Sequence, residues 1–174
     1  MDLTVRKAGM KDVDEVTALY DAVNEYYDSY NNTGWVKGIY PLREDAINGI
    51  EQDGLYVGET DGKIIGTFIL SHNPEPAFYE VEWKKDIPYD KVLIIFTFAV
   101  LPEYSGKGIG RKLLEEAEKI AAENGAESIR LDVFDKNPAI KLYKKCGFEY
   151  IKTVDLGYGK YGLDNFELYE KLIK

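Results

Sequence analysis

The longest apolar run of the chain covers residues 92–101, is interrupted only by Thr97, and is followed at once by Pro102 and a glycine-rich loop. A run with so few polar residues predicts a strand at the centre of a sheet, covered on both faces. It has about half of the ~20 apolar residues that a membrane-spanning helix needs. We therefore expect the rest of the chain to fold around this strand.

The segments around the apolar run predict further strands and helices. Apolar alternation and turn residues predict strands at residues 3–6, 55–59, 63–71, 91–101, 128–134, 148–155 and 166–172. Apolar stripes at helical spacing predict helices at about residues 12–30, 42–53, 108–124 and 138–146. This order mixes hairpins with one strand–helix–strand crossover, so we expect an α/β fold with a mixed sheet and helices on both faces.

Composition limits the classes of protein. A chain of 174 residues predicts one domain over residues 1–174. Its formal net charge of −9 disfavours binding to nucleic acid phosphates or to an anionic membrane and suits a cationic substrate. The lone Cys146 excludes an internal disulfide, and with His72 as the one histidine we expect no metal site. The N-terminus lacks the apolar stretch of a signal peptide, so we expect a cytoplasmic protein.

Three glycines, Gly106, Gly108 and Gly110, lie between the apolar run and the next helix. Glycines let a backbone approach a ligand closely, and a helix N-terminus offers free N–H groups, so the loop predicts a phosphate or pyrophosphate cradle. A Walker loop and a dinucleotide fingerprint would each need a glycine at Arg111. Asp132 has the spacing of a ribose-binding carboxylate, but the glycine loop does not open a parallel βαβ unit, and we reject a dinucleotide site.

Two segments resemble the GNAT superfamily of N-acetyltransferases. Residues 105–110 resemble its motif A, Arg/Gln-x-x-Gly-x-Gly/Ala, which binds the pyrophosphate of acetyl-CoA. Residues 135–148 resemble its motif B, Asn-x-x-Ala-x-x-Leu-Tyr-x-x-x-Gly-Phe. The two motifs stand at the expected separation, and the resemblance covers nearly the whole chain. It implies a mostly antiparallel mixed sheet, acetyl-CoA (coenzyme A) as the donor, and a homodimer as a common arrangement.

The resemblance also implies roles for single residues. Backbone groups near Phe98, Ala99 and Val100 would hold the pantetheine arm and polarise the thioester carbonyl. The glycine loop would fix the pyrophosphate through Ser105, Gly106, Lys107, Gly108, Ile109, Gly110 and Arg111. Asn137 and Tyr143 would contact the cofactor, and Tyr143 would protonate the leaving CoA thiolate.

Two positions depart from the family pattern. Ser105 stands where the family favours Arg or Gln, which predicts weaker rather than absent cofactor binding. Asn137 lies one residue closer to Tyr143 than the family spacing, so Lys136 occupies the family's Asn position.

The acceptor site is less constrained by the sequence. The region of the first two helices usually walls the acceptor pocket in this family, which makes Tyr27, Tyr30, Trp35 and Tyr40 candidates for substrate contact. Glu80 and Glu82 would share one face of a strand and could anchor a cation. Tyr158 and Tyr161 would lie on the same side. An amine with a pKa near 10 must lose a proton before it attacks; a carboxylate, His72 or a water chain could accept it.

The sequence therefore predicts an N-acetyltransferase, an acyltransferase that moves an acetyl group directly from acetyl-CoA to a primary amine. The expected acceptor is a small cationic molecule, such as a polyamine or an amino sugar, or a peptide. A CoA-binding regulatory module without catalysis is the alternative, and a nucleotide-binding protein is a third class. No nucleic acid or membrane partner is expected.

Overall fold

A seven-stranded sheet forms the framework of the computed structural model, which describes residues 1–174. The strands lie in the order β1-β2-β3-β4-β5-β7-β6. They comprise β1 (Thr4–Lys7), β2 (Leu55–Thr60), β3 (Lys63–Ser71), β4 (Val92–Val100), β5 (Ser128–Phe134), β6 (Glu149–Val154) and β7 (Phe166–Leu172). The helices are α1 (Val13–Tyr27), α2 (Arg43–Glu51), α3 (Ile109–Glu123) and α4 (Ile140–Lys145). No helix is both long and apolar enough to cross a membrane.

The apolar run forms β4, the middle strand of the sheet, as its composition predicts. β4 pairs antiparallel with β3 and parallel with β5, and every other neighbouring pair of strands is antiparallel. The parallel pairing covers only four residues of each strand, from Val92 opposite Ser128 to Ile95 opposite Leu131. Beyond Ile95 the two strands separate. The polar interruption, Thr97, lies at this point with a left-handed φ of +51° and a shift in the β3–β4 register.

The helices cover both faces of the sheet. Gly49 of α2 packs on Leu55 of β2, whereas Gly58 of the same strand lies against Leu113 of α3. Residues three apart on a strand point to opposite faces, so α2 and α3 lie on opposite sides. A Cβ at Gly66 would approach Leu113 Cδ1 to 2.6 Å, which explains a glycine inside a strand.

The segment between β3 and β4 contains short 3-10 turns at Pro76–Glu80 and Tyr89–Lys91, and no strand. A strand that would place Glu80 and Glu82 on one face is therefore not formed, and both side chains are exposed. Phe78 and Ile87 of the segment are buried in a small cluster with Val92, Ile94 and Leu168.

A buried ion pair fixes this segment to the sheet. Arg130 of β5 is 1% exposed, and its Nε lies 2.7 Å from Glu170 Oε2 of β7. Ser128 Oγ and the Lys84 backbone N–H also donate to the Glu170 carboxylate. The Arg130 guanidinium lies 4.2 Å from the centre of the Trp83 ring. The Arg130 charge is therefore paired and stacked, as a buried charge must be.

Candidate active site

The separation of β4 from β5 opens two adjoining cavities. The first, the glycine-loop cavity, has a volume of about 410 Å³ and is bounded by the end of β4, the glycine loop and the start of α4. The second, the aromatic cavity, has a volume of about 220 Å³ and lies between β4, β5, residues 33–40 and the β6–β7 connection. Their walls have five residues in common: Thr33, Trp35, Phe98, Asn137 and Tyr143.

The glycine loop gives the first cavity the character of an anion site. Gly106 and Gly108 adopt left-handed φ angles of +75° and +79°, which L-residues with a side chain rarely adopt. Gly108 is the N-cap of α3 and supplies no capping side chain. The first N–H groups of α3, beginning at Ile109, therefore stay available at the positive end of the helix dipole.

Only some of the loop's side chains line the glycine-loop cavity. Ser105 and Arg111 line the glycine-loop cavity. Arg111 is largely exposed and forms an ion pair with Glu115 at 3.0 Å, one helical turn away. Lys107 does not line the cavity, and its ammonium lies 5.3 Å from the centre of the Tyr104 ring. The loop thus approaches a ligand mainly with backbone groups.

The remaining predicted cofactor residues lie along the same wall. Phe98, Ala99, Val100, Ile109 and Gly110 all line the glycine-loop cavity. Asn137 lies at the junction, but its side-chain amide already bonds the backbone: Nδ2 donates to Thr33 O, and Oδ1 accepts from Ala139 N.

An amide oxygen in the same wall has no partner. Asn32 lines the glycine-loop cavity, and its buried Oδ1 accepts no hydrogen bond from the protein. A buried acceptor of this kind calls for a donor from elsewhere. It fits a ligand that brings an N–H group.

Tyr143 stands where the two cavities meet. The side chain is 6% exposed, and its ring meets those of Phe98 and Phe148 edge to face, with 6.0 Å between ring centroids in each pair. Burial, and then the charge of Asp132, raise the pKa of the Tyr143 phenol above its ordinary value. The hydroxyl therefore stays protonated at neutral pH and is a proton donor.

A short hydrogen bond holds one wall of the aromatic cavity to β4. Tyr40 Oη lies 2.5 Å from Thr97 Oγ1, at the residue with the left-handed backbone. Burial raises the pKa of the Tyr40 phenol. The bond ties residues 33–40 to the point where β4 leaves β5.

The aromatic cavity contains two carboxylates that the sequence reasoning did not assign to an acceptor site. Burial, with the nearby charge of Glu75, raises the pKa of Asp132 to about 7. Glu75 accepts a hydrogen bond from Tyr158 Oη at 3.3 Å, and burial, followed by the Glu75 charge, raises the pKa of Tyr158 to about 12. The sequence does contain a feature that singles out Asp132, because it is the one acidic residue in the largely buried strand β5.

The predicted acceptor residues are only partly brought together. Trp35 and Tyr40 line the aromatic cavity, as does Tyr161, whereas Tyr27 lines the glycine-loop cavity. Tyr30 is 60% exposed and stacks on Tyr26 outside both cavities. Outside both cavities also lie Glu80, Glu82 and His72, whose Nδ1 lies 2.6 Å from Val92 O.

Comparison with known proteins places the chain among acetyltransferases. It is 28% identical over 156 residues to an uncharacterised N-acetyltransferase of Methanocaldococcus jannaschii, an alignment covering 87% of this chain and 62% of that protein. It is 30% identical over 158 residues to an N-alpha-acetyltransferase of Sulfurisphaera tokodaii, covering 86% and 82%. The chain thus spans about three fifths of the first relative and four fifths of the second.

Solved structures share the fold at low sequence identity. A GNAT-family acetyltransferase from Streptococcus agalactiae superposes with a TM-score of 0.77 at 21% identity, covering 99% of this chain and 96% of that one. The acetyltransferase yncA of Salmonella typhimurium, crystallised with acetyl-CoA, gives 0.74 at 18%, covering 100% and 95%.

The family model described as the acetyltransferase (GNAT) family matches residues 17–148, most of the chain. The predicted family, the mixed-sheet fold and the acetyltransferase class are therefore confirmed. Acetyl-CoA, predicted as the acetyl donor, agrees with this family. Because the family model matches more than three quarters of the chain and the fold agrees with it, the chain belongs to the acetyltransferase (GNAT) family.

Proposed function

We propose that residues 1–174 act as one domain that moves an acetyl group from acetyl-CoA directly to a primary amine. The observation that carries this proposal is the position of Tyr143, which lies in the walls of both cavities. A thioester that reached this junction from the glycine-loop cavity would lie next to an amine in the aromatic cavity. Tyr143 would be beside both as a proton donor.

The glycine-loop cavity suits the donor. The N–H groups at the start of α3 would receive the pyrophosphate, as helix N-termini do for anions. The unpartnered Asn32 Oδ1 would accept an amide N–H of the pantetheine arm. Beyond Ile95, β4 no longer pairs with β5, so its edge is free to hydrogen-bond the arm.

The chemistry assigned to the chain is proton transfer and charge stabilisation. The neutral amine forms a C–N bond to the thioester carbon, and the C–S bond breaks. Backbone N–H groups of β4 near Phe98 and Ala99 would stabilise the charge that develops on the carbonyl oxygen, an effect worth about 3–4 kcal/mol per donor in known enzymes. Tyr143 would protonate the CoA thiolate as it leaves.

The aromatic cavity suits a cationic acceptor. Asp132 and Glu75 are the charged side chains of its wall, and both are acidic. A small cationic amine or a peptide amine fits this charge. One relative is named an N-alpha-acetyltransferase, and a Bacillus subtilis relative, 33% identical over 118 residues, is named an S-(2-succino)cysteine N-acetyltransferase. These names support an amine as the acceptor.

Thermal unfolding with acetyl-CoA, CoA, NADH and ATP tests the donor. A ligand at 100 times its Kd stabilises by about 2.7 kcal/mol, a rise in Tm of about 5–10 °C for a chain of this size. We expect the rise with acetyl-CoA and CoA only. A rise with NADH or ATP instead would contradict the proposal.

The variant Tyr143→Phe separates an enzyme from a CoA-binding module. We expect it to keep the rise in Tm with acetyl-CoA and to lose at least tenfold in amine-dependent thiol release. The control is Tyr150→Phe, whose exposed hydroxyl bonds Thr153 outside both cavities. A wild-type protein that binds acetyl-CoA and releases no thiol with any amine would be a module without catalysis.

A further inference from the structure

We propose that the acceptor is a small aromatic primary amine with no carboxylate beside its amino group, bound in the aromatic cavity with its ammonium group on Asp132, which takes the proton. The inference rests on the proposed function and narrows the acceptor class. Four features of the cavity support it: its rings, its charges, its volume and the place of Asp132.

Aromatic side chains from several elements line the cavity. The wall contains the rings of Trp35, Tyr40, Phe134, Tyr158, Tyr161 and Phe166. Several meet edge to face, with centroid distances of 5.9 Å for Tyr158 and Phe166 and 6.3 Å for Trp35 and Tyr40. Rings arranged in this way accept a further ring by stacking or edge contact. A polyamine with three ammonium groups would leave at least one of them against apolar walls, because the wall contains only two carboxylates.

The charges of the cavity select against an amino acid. Asp132 and Glu75 are acidic, and no Lys, Arg or His lines the wall. The nearby cations, Lys136 and Lys160, are exposed and lie over the rings of Phe134 and Tyr161 without lining the cavity. A carboxylate beside the amino group would enter without a cationic partner and close to two acidic groups, which is unfavourable on both counts.

A contact between two distant segments forms part of the cavity wall. Tyr158, from the β6–β7 connection, donates a hydrogen bond to Glu75, from the segment between β3 and β4. The cavity volume is about 220 Å³. A compact amine suits this volume better than an extended peptide does.

Asp132 is placed to receive the ammonium proton. It lies on β5 beside the opening, and the titratable groups around it are the phenols of Tyr40, Tyr143 and Tyr158 and the carboxylate of Glu75. Because burial holds its pKa near 7, the group can accept a proton at neutral pH and pass it to water. Of the two protons that the ammonium loses, one leaves through Asp132, and the other balances the proton that Tyr143 gives to the thiolate.

The first experiment compares matched acceptors by acetyl-CoA-dependent thiol release. Tyramine and tyrosine differ only in the carboxylate, so we expect kcat/KM for tyramine to exceed that for tyrosine at least 30-fold. Phenylethylamine and phenylalanine should behave in the same way. Spermidine and a tripeptide with a free N-terminus complete the panel, and both should be poorer than tyramine.

Variants test the two carboxylates separately. We expect Glu75→Gln to lower the tyramine-to-tyrosine ratio at least threefold, because it removes one charge that repels the substrate carboxylate. Asp86→Asn, an equal charge change at an exposed site of the same segment, should leave the ratio unchanged. Asp132→Asn should lose at least tenfold in kcat/KM for tyramine, lose the rise of kcat/KM with an inflection near pH 7, and keep the rise in Tm with acetyl-CoA.

The outcomes distinguish the two proposals. Preference for tyrosine, spermidine or the peptide would overturn the acceptor class and leave acetyl transfer standing. Equal kcat/KM for tyramine and tyrosine would do the same. Binding of acetyl-CoA without turnover of any amine would overturn both. A pH profile unchanged in Asp132→Asn would remove Asp132 from the proton path.

Discussion

The raised pKa of Asp132 predicts that its ionised carboxylate destabilises the folded protein. Its pKa is raised from 3.8 to about 7, so between these values the folded chain binds a proton that the unfolded chain has released. Stability from this group is therefore lost as the pH rises through 4 to 7. We expect Asp132→Asn to be more stable than the wild type by about 1–3 kcal/mol at pH 8.5 and equal to it near pH 4, measured by urea unfolding.

The control for this prediction is the exposed Asp86→Asn, which should show no gain that depends on pH. A gain of equal size at pH 4 and pH 8.5 would mean that packing rather than ionisation explains the effect.

Gly108 tests the anion cradle at a single residue. Nothing lies within 4 Å of a Cβ placed there, so the left-handed φ of +79° rather than lack of space disfavours a side chain. We expect Gly108→Ala to lose about 1 kcal/mol of unfolding free energy and several-fold in acetyl-CoA affinity by calorimetry. Gly125 has the same φ and the same open surroundings at the far end of α3, so Gly125→Ala should lose similar stability and bind acetyl-CoA normally. Equal loss of affinity in both variants would contradict a direct role of the loop.

At the scale of elements, the buried ion pair of Arg130 and Glu170 joins β5, β7 and the segment before β4. Glu170→Ala would leave the Arg130 charge buried without its partner, a loss we expect to be about 3–5 kcal/mol by urea unfolding. Glu149→Ala breaks the exposed pair with Lys84 and should lose less than about 1 kcal/mol. Similar losses in the two variants would show that burial does not set the strength of the first pair.

The same elements show what the sequence could and could not predict. All eleven predicted strands and helices are present, because apolar periodicity and turn residues act over a few neighbouring residues. The helix predicted to reach Tyr30 ends at Tyr27. Four residues later, Asn31 has a left-handed φ of +51°. The path of the segment between β3 and β4 could not be predicted from local sequence, because Trp83 and Lys84 are positioned by contacts with Arg130 and Glu170, far away in the sequence.

The candidate site also contains one part that local sequence predicts and one part that it predicts less well. The glycine loop is contiguous in the sequence, so its spacing and its chemistry could be predicted together. The acceptor side could be predicted only in part: its tyrosines and Trp35 were candidates, whereas Glu75 and Asp132 were not, because they approach each other only after separate elements have packed. Local alternation indicated an acceptor role for Glu80 and Glu82, but no strand forms there and both residues lie outside the two cavities.

At the scale of the whole molecule, the sheet consists of two parts. Strands β1–β4 form one antiparallel part, and β5, β7 and β6 form the other. Only four parallel residue pairs join them, and both cavities lie where this pairing ends. A ligand in the glycine-loop cavity would contact β4 and α3 on one side and the start of α4 on the other. The two parts should therefore be coupled through the bound donor.

Native-state hydrogen exchange measures this coupling. At 100 times its Kd, acetyl-CoA should raise the free energy of exchange by about 2.7 kcal/mol for the amides that exchange through global unfolding. This rise should be seen in both parts of the sheet. We expect the glycine loop and residues 137–143 to gain protection together, because the ligand would bridge them. Gly108→Ala at the same acetyl-CoA concentration should show a smaller gain in both places. Protection confined to β1–β4 and α3 would show that the donor is held by one part alone, and would place the reacting thioester away from Tyr143.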